Sequence, residues 1–202
     1  MAILNQSTLT AMHYFHRQTR RLVAFTRSVM IKCLCVLWIG YLNPFFHPAA
    51  LADNPTQHQV KVAFIYNFIS FTKWPEGTPE TLNLCIHGQD PFGGEFNALQ
   101  DKISNGRKIN IMRIGNSMQF ESCQVVFFPR SSTEVLSSLL DKIGSRPVLT
   151  IADSPGAAAR GVIINMSLSD AGRVVFEINQ RAALNAELGL SSKLLSLAVT
   201  LF

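Results

Sequence analysis

The chain has 202 residues, 48% of them hydrophobic, with 18 Lys/Arg against 13 Asp/Glu and a formal charge of +5. Arg17, Arg20, Arg21, Arg27 and Lys32 are the only charged residues before Asp53, and without them 13 basic side chains face 13 acidic ones. The neutral remainder suits one domain with a sizeable core, and it excludes a basic nucleic-acid-binding surface as the meaning of the net charge.

The basic residues head a leader. A run from Cys33 to Leu42 is apolar, and Ala50-Leu51-Ala52 supplies small residues at a cleavage site. These are the parts of a secretory signal peptide, predicted over residues 1–52 with cleavage after Ala52. The apolar run is roughly half of what a bilayer span needs, so a permanent anchor is the lesser alternative. Met30 would begin a signal of more ordinary length, and residues before it read as an over-extended start. Cys33 and Cys35 leave with the leader. The mature chain is then 53–202, in an exported protein.

Residues 53–57 read as a frayed entry to the first helix. Over Lys61–Pro75 the sequence runs K-V-A-F-I-Y-N-F-I-S-F-T-K-W-P. Val60, Ala63, Phe64, Phe68 and Phe71 recur at helical spacing, Ile65 and Ile69 widen the face, and Pro75 ends the helix by about Trp74. Packing mass explains the apolar side chains. The polar residues Tyr66, Asn67 and Lys73 are candidates for a site or a contact surface.

Gly77-Thr78-Pro79 marks a turn, and residues 82–86 alternate as a short strand. Asp90-Pro91 opens a helix with Phe92, Phe96, Leu99 and Ile103 inward, stopped by Asn105-Gly106. Residues 108–114 form a second strand. Val125–Phe128, continuously apolar, is a third, covered on both faces. Ser131 or Ser132 caps a helix burying Val135, Leu136, Leu139, Leu140 and Ile143, and residues 147–151 are a fourth strand. Runs at 161–166 and 173–178, joined by a turn, predict a closing hairpin. Asn179 and Ser191 cap the last two helices. The fold class is α/β: one three-layer domain, a mostly parallel sheet of about five to six strands flanked by helices, ending in an antiparallel hairpin and a helix pair.

Two cysteines remain, Cys85 and Cys123, and an even pair in an exported chain reads as a disulfide, with buried free thiols as the alternative. If the first four strands order as 2-1-3-4, the two lie on neighbouring strands. A bond then needs an offset, or Cys123 in the preceding loop.

Little in the sequence makes or breaks bonds. The loop H-G-Q-D-P-F-G-G sits where phosphates bind in open α/β folds but lacks the spacing of a dinucleotide or P-loop motif. Asp90 and Asp153 at strand ends suggest an acidic pair. His87 near Asp90 is a two-ligand hint that falls short of a metal site. No catalytic residue, cofactor or metal is predicted. Along R-V-V-F-E-I-N, Arg173, Glu177 and Asn179 share one side of a strand, as a salt-paired sheet face or as a small polar pocket or docking surface.

Taken together, the opening helix ending in Trp-Pro, G-Q-D-P-F-G-G, C-Q-V-V-F-F, G-V-I-I-N-M, R-V-V-F-E-I-N and L-G-L-S-S-K-L-L-S-L-A resemble the signatures of the YfiR family of small periplasmic proteins. The resemblance covers Gln59 to Phe202. It implies a periplasmic regulator that binds the periplasmic sensory domain of an inner-membrane diguanylate cyclase and holds it off, lowering cyclic di-GMP and biofilm formation. It also implies possible sequestration by an OmpA-like outer-membrane lipoprotein, a homodimer, and a small-molecule ligand. Cys85 and Cys123 match one family half-cystine pair. A more C-terminal pair has no counterpart, since no cysteine follows Cys123. The competing reading is a periplasmic small-molecule receptor serving another membrane partner, and an enzyme using His87, Asp90 or Asp153 is the third.

Overall fold

The computed structural model describes residues 55–115 and 117–202. The predicted leader over 1–52, with its alternative start at Met30, lies outside the described residues.

Helix α1 spans Gln57–Ser70. Its start is fixed rather than frayed: Thr56 Oγ1 accepts from the Gln59 N–H (3.2 Å) and the Gln59 side chain accepts from the Thr56 N–H (2.9 Å). This reciprocal box satisfies two backbone donors at once. Val62, Ile65, Phe68 and Ile69 are the buried face. Ala63 is exposed, and Phe64 and Phe71 pack only at the core's margin, so the inward stripe is offset from the predicted one. The helix also ends four residues early. Thr72–Lys73 (β1) leave it to pair antiparallel with residues 189–190, and a strand ladder there outcompetes another helical turn.

The main sheet begins with β2 (Thr81–His87). The segment predicted as a helix after Asp90 is instead a 3₁₀ stretch, Gly93–Leu99, which Gly93 enters at φ 59°. Ile103–Ser104 (β3) then pairs antiparallel with β4 (Arg107–Ile114). Between them Asn105 (φ 50°) and Gly106 (φ 78°) make the two-residue positive-φ turn that Asn-Gly favours in hairpins, not a helix stop. Next come β5 (Val125–Phe128) and α2 (Leu136–Ile143). Helix α2 starts later than predicted, because Ser132 lies in a 3₁₀ turn and Val135, at the helix boundary, is 51% exposed. The chain continues through β6 (Leu149–Ala152), β7 (Ile164–Leu168), β8 (Val174–Ile178), α3 (Gln180–Asn185), β9 (Gly189–Leu190), α4 (Ser192–Leu195) and β10 (Thr200–Leu201).

The strand order is β10-β8-β7-β6-β5-β2-β4-β3. Strands β4, β2, β5, β6 and β7 are parallel, and β7–β8 is the predicted antiparallel hairpin. The sheet exceeds five or six strands because β3 and β10 each add a two-residue edge. Helices α1, α3, α4 and the 3₁₀ stretch pack on Leu84, Ile86, Phe127, Ile151 and Phe176 of one face. Helix α2 covers Cys85, Val126 and Phe128 on the other. That is the three-layer α/β domain.

Cys85 stands opposite Val126 in the ladder, and Cys123 lies in the loop just before β5. The two are disulfide-bonded with Cα atoms 5.9 Å apart. Placing Cys123 in the loop resolves the register problem that adjacent strands pose.

Candidate functional site

In an open α/β sheet, the crevice for ligands lies at the carboxyl ends of the strands where the winding reverses, here between β2 and β5. His87 closes β2, and its Nδ1 is 3.0 Å from Oγ of buried Ser132 in the turn after β5. The imidazole also packs beside Phe120 and Phe128. Burial, and secondarily the Lys142 charge, lower its pKa below the ordinary 6.5. Between the lowered value and 6.5 the unfolded chain binds more protons. Stability is therefore full above pH 6.5 and is lost as the pH falls through the folded value. We expect His87→Asn to flatten the acid limb of a stability–pH profile. An unchanged limb would show that this imidazole contributes nothing to it.

The two acidic residues are each held by a separate cation. Asp90 Oδ2 accepts from Arg113 Nε (3.1 Å) and Nη2 (2.9 Å), while Oδ1 accepts from the Phe92 N–H. A carboxylate therefore occupies the loop where a phosphate would sit, and its guanidinium partner also ties down Gly93 and Asn97. Asp153 accepts from Lys61 Nζ at 3.0 Å. Among the described residues no three His, Cys, Asp or Glu side chains group to hold a metal ion. The crevice is a set of internal pairs. Lys61 and Arg113 were invisible as partners in the sequence, since 92 and 23 residues separate them from their acids.

The predicted polar residues fall in several places. Glu177 accepts from Nδ2 of buried Asn165 (3.1 Å), and Asn165 Oδ1 in turn accepts from the Ser154 N–H. Asn179 caps α3 through the Ala182 N–H and donates to Ala158 O at 2.8 Å. Arg173 is exposed at the hairpin, and its side chain makes no hydrogen bond or ion pair with either. On α1, Tyr66 donates to Ile103 O (2.9 Å) under the Lys102 ammonium, whereas Asn67 is exposed. Lys73 is exposed in β1 and lines a cleft of about 410 Å³ with Trp74, Asn105, Arg107 and Ser191. The cleft draws on residues 70–74, the β3–β4 turn and the entry to α4, segments that no local pattern in the sequence links.

The family model described as YfiR/HmsC-like matches residues 58–199. No curated protein matches the sequence. Among solved structures, a conserved domain protein from Vibrio cholerae O1 biovar El Tor is similar at 11% identity and TM-score 0.45, over 74% of this chain and 61% of that one. An ABC domain in complex with L-Trp from Streptococcus pneumonia is similar at 9% identity and TM-score 0.51, over 72% and 60%. The chain thus spans about three-fifths of the length of these structures. The second likeness speaks for the α/β fold alone.

Proposed function

The chain belongs to the YfiR/HmsC-like family, and from that premise we propose that it is a periplasmic regulatory protein that binds and inhibits the periplasmic sensory domain of an inner-membrane diguanylate cyclase. By doing so it lowers cyclic di-GMP and biofilm formation. The observation that carries this reading is the family match over 58–199, nearly the whole described domain. In support, His87, Asp90 and Asp153 are each tied to a partner inside the domain, which fits a protein that acts by contact. No helix among the described residues is long and apolar enough to cross a membrane.

The contact surface of this proposal combines exposed Asn67, Lys73 and Arg173 with an apolar run at the β10 edge of the sheet. There Leu197, Val199, Leu201 and Phe202 are between 46% and 59% exposed. Large apolar side chains clustered in water mark interaction surfaces. Tyr66, Glu177 and Asn179 are used within the domain instead, by Ile103 O, Asn165 and the α3 N-terminus. A homodimer and capture by an OmpA-like outer-membrane lipoprotein belong to the same proposal.

Deleting the gene should raise cyclic di-GMP, and restoring the wild-type chain should lower it again. The purified protein should retain the purified periplasmic domain of the cyclase responsible. Unchanged cyclic di-GMP in a strain that expresses the protein would refute the reading. A receptor for a small solute is the second reading, favoured by the cleft at Lys73.

A further inference from the structure

We propose that the cleft at the end of α1 binds a small organic carboxylate, gripped by Arg107, Trp74 and Lys73. The inference deepens the small-solute reading of this cleft and rests on it, but it does not depend on which membrane partner the protein serves.

Its volume, about 410 Å³, is within the range of small-molecule sites. Most polar groups around it are already used. Asn105 Nδ2 donates to Ser70 O at 2.8 Å, and Thr72 Oγ1 donates to Phe68 O at 2.7 Å. Ser191 donates its N–H to Phe71 O and caps α4 with its hydroxyl. These bonds stiffen the walls.

Two groups are left over. Trp74 Nε1 and Arg107 Nε are both sealed from water, and neither has a hydrogen-bond partner among the described residues. Buried donors in folded proteins are nearly always paired, so two unpaired donors on residues that line one cleft set it apart. Lys73 adds an exposed ammonium at the rim, with no carboxylate partner among the described residues. All three unused groups are donors, two are cationic, and no residue lining the cleft is acidic.

A carboxylate answers this inventory. Its two oxygens accept the guanidinium fork in two parallel hydrogen bonds and leave lone pairs for the indole N–H. The ammonium supplies a point charge. The half-buried rings of Phe71 and Trp74 offer an apolar wall to the ligand's body. Because the two donors are covered, the Trp74 or Arg107 side chain must turn as the ligand enters. Binding should therefore register at the indole.

The sequence contains two tryptophans, Trp38 and Trp74. Full-length protein carrying Trp38→Phe then reports by fluorescence from Trp74 alone. Titration with benzoate should change that emission saturably, whereas benzamide, its neutral isostere, should bind about tenfold more weakly or not at all. Arg107→Gln and Lys73→Gln should each raise the benzoate Kd by about tenfold. Lys73 is exposed, so its variant keeps the test intact if Arg107→Gln misfolds. The proposal is overturned if benzoate leaves Trp74 emission unchanged or if Lys73→Gln binds benzoate as the parent does. It is equally overturned if inorganic phosphate binds more tightly than benzoate.

Discussion

Removing the Cys85–Cys123 bridge with Cys85→Ala/Cys123→Ala should cost the fold about 4 kcal/mol, the chain-entropy value for a loop of this length. The bridge spans 38 residues. Within that loop lie the 3₁₀ stretch, β3 and the whole of β4, all of which the reduced unfolded chain would have to order without a tether. For a domain of this size the expected fall in Tm is roughly 8–16 °C, a large share of an ordinary stability of about 5–15 kcal/mol. Alanine is the right replacement. Cys85 is fully buried and Cys123 is 3% exposed, so serine would bury a hydroxyl and mix its desolvation cost with the loss of the tether. Equilibrium denaturation of the parent with and without reductant, beside the double variant, separates the two effects. An unfolding free energy within about 1 kcal/mol of the parent would mean that the unfolded chain gains little freedom on losing the bridge, so that loop entropy is not what it contributes.

What was legible in the sequence follows from how local its physics is. The apolar run Val125–Phe128, the hairpin turn near Gly172, and the caps at Asn179 and Ser191 depend on neighbours within a few residues, and each appears where its pattern puts it. The capping box Thr56-x-x-Gln59 is equally local, and it orders residues that otherwise read as a frayed entry. Asn105-Gly106 is a strong hairpin signal, but the helical spacing of Phe92, Phe96, Leu99 and Ile103 before it makes it read as a helix stop. Their spacing was real for Phe92, Phe96 and Leu99, which are buried, but Ile103 is 59% exposed. The early end of α1 could not be read locally: Thr72–Lys73 turn into strand only because residues 189–190 come to meet them. The same holds for the candidate sites. Lys73 stands out from its own helix-end context, but its companions Arg107 and Ser191 reach it by tertiary folding. Of Arg173, Glu177 and Asn179 only Glu177 lies in β8, the other two flanking it, and Asn165 on the adjacent strand claims Glu177 while the α3 N-terminus claims Asn179.

Lys61→Met should destabilise the domain by about 3–5 kcal/mol, because it leaves a buried carboxylate with no cation. Lys61 reaches from α1 across the layer boundary to Asp153 just past β6, where the two side chains are only 12% and 9% exposed. The ammonium also sits 5.5 Å from the centre of the Phe92 ring. Asp153 Oδ1 is sealed from water and finds no hydrogen-bond partner among the described residues, so Lys61 is the main compensation for its charge. Removing both charges is a different experiment. Lys61→Met/Asp153→Leu should recover most of the loss, since a buried ion pair gives back in Coulomb attraction little more than its desolvation cost. With Asp153→Leu alone as the fourth corner, the cycle measures the coupling. Lys108–Asp101, with side chains 54% and 59% exposed, is the solvated control, and Lys108→Met should leave the denaturation midpoint in place. If Lys61→Met proves as mild as Lys108→Met, Asp153 must reach water or a proton in the folded chain, and the pair does not anchor α1 to the end of β6.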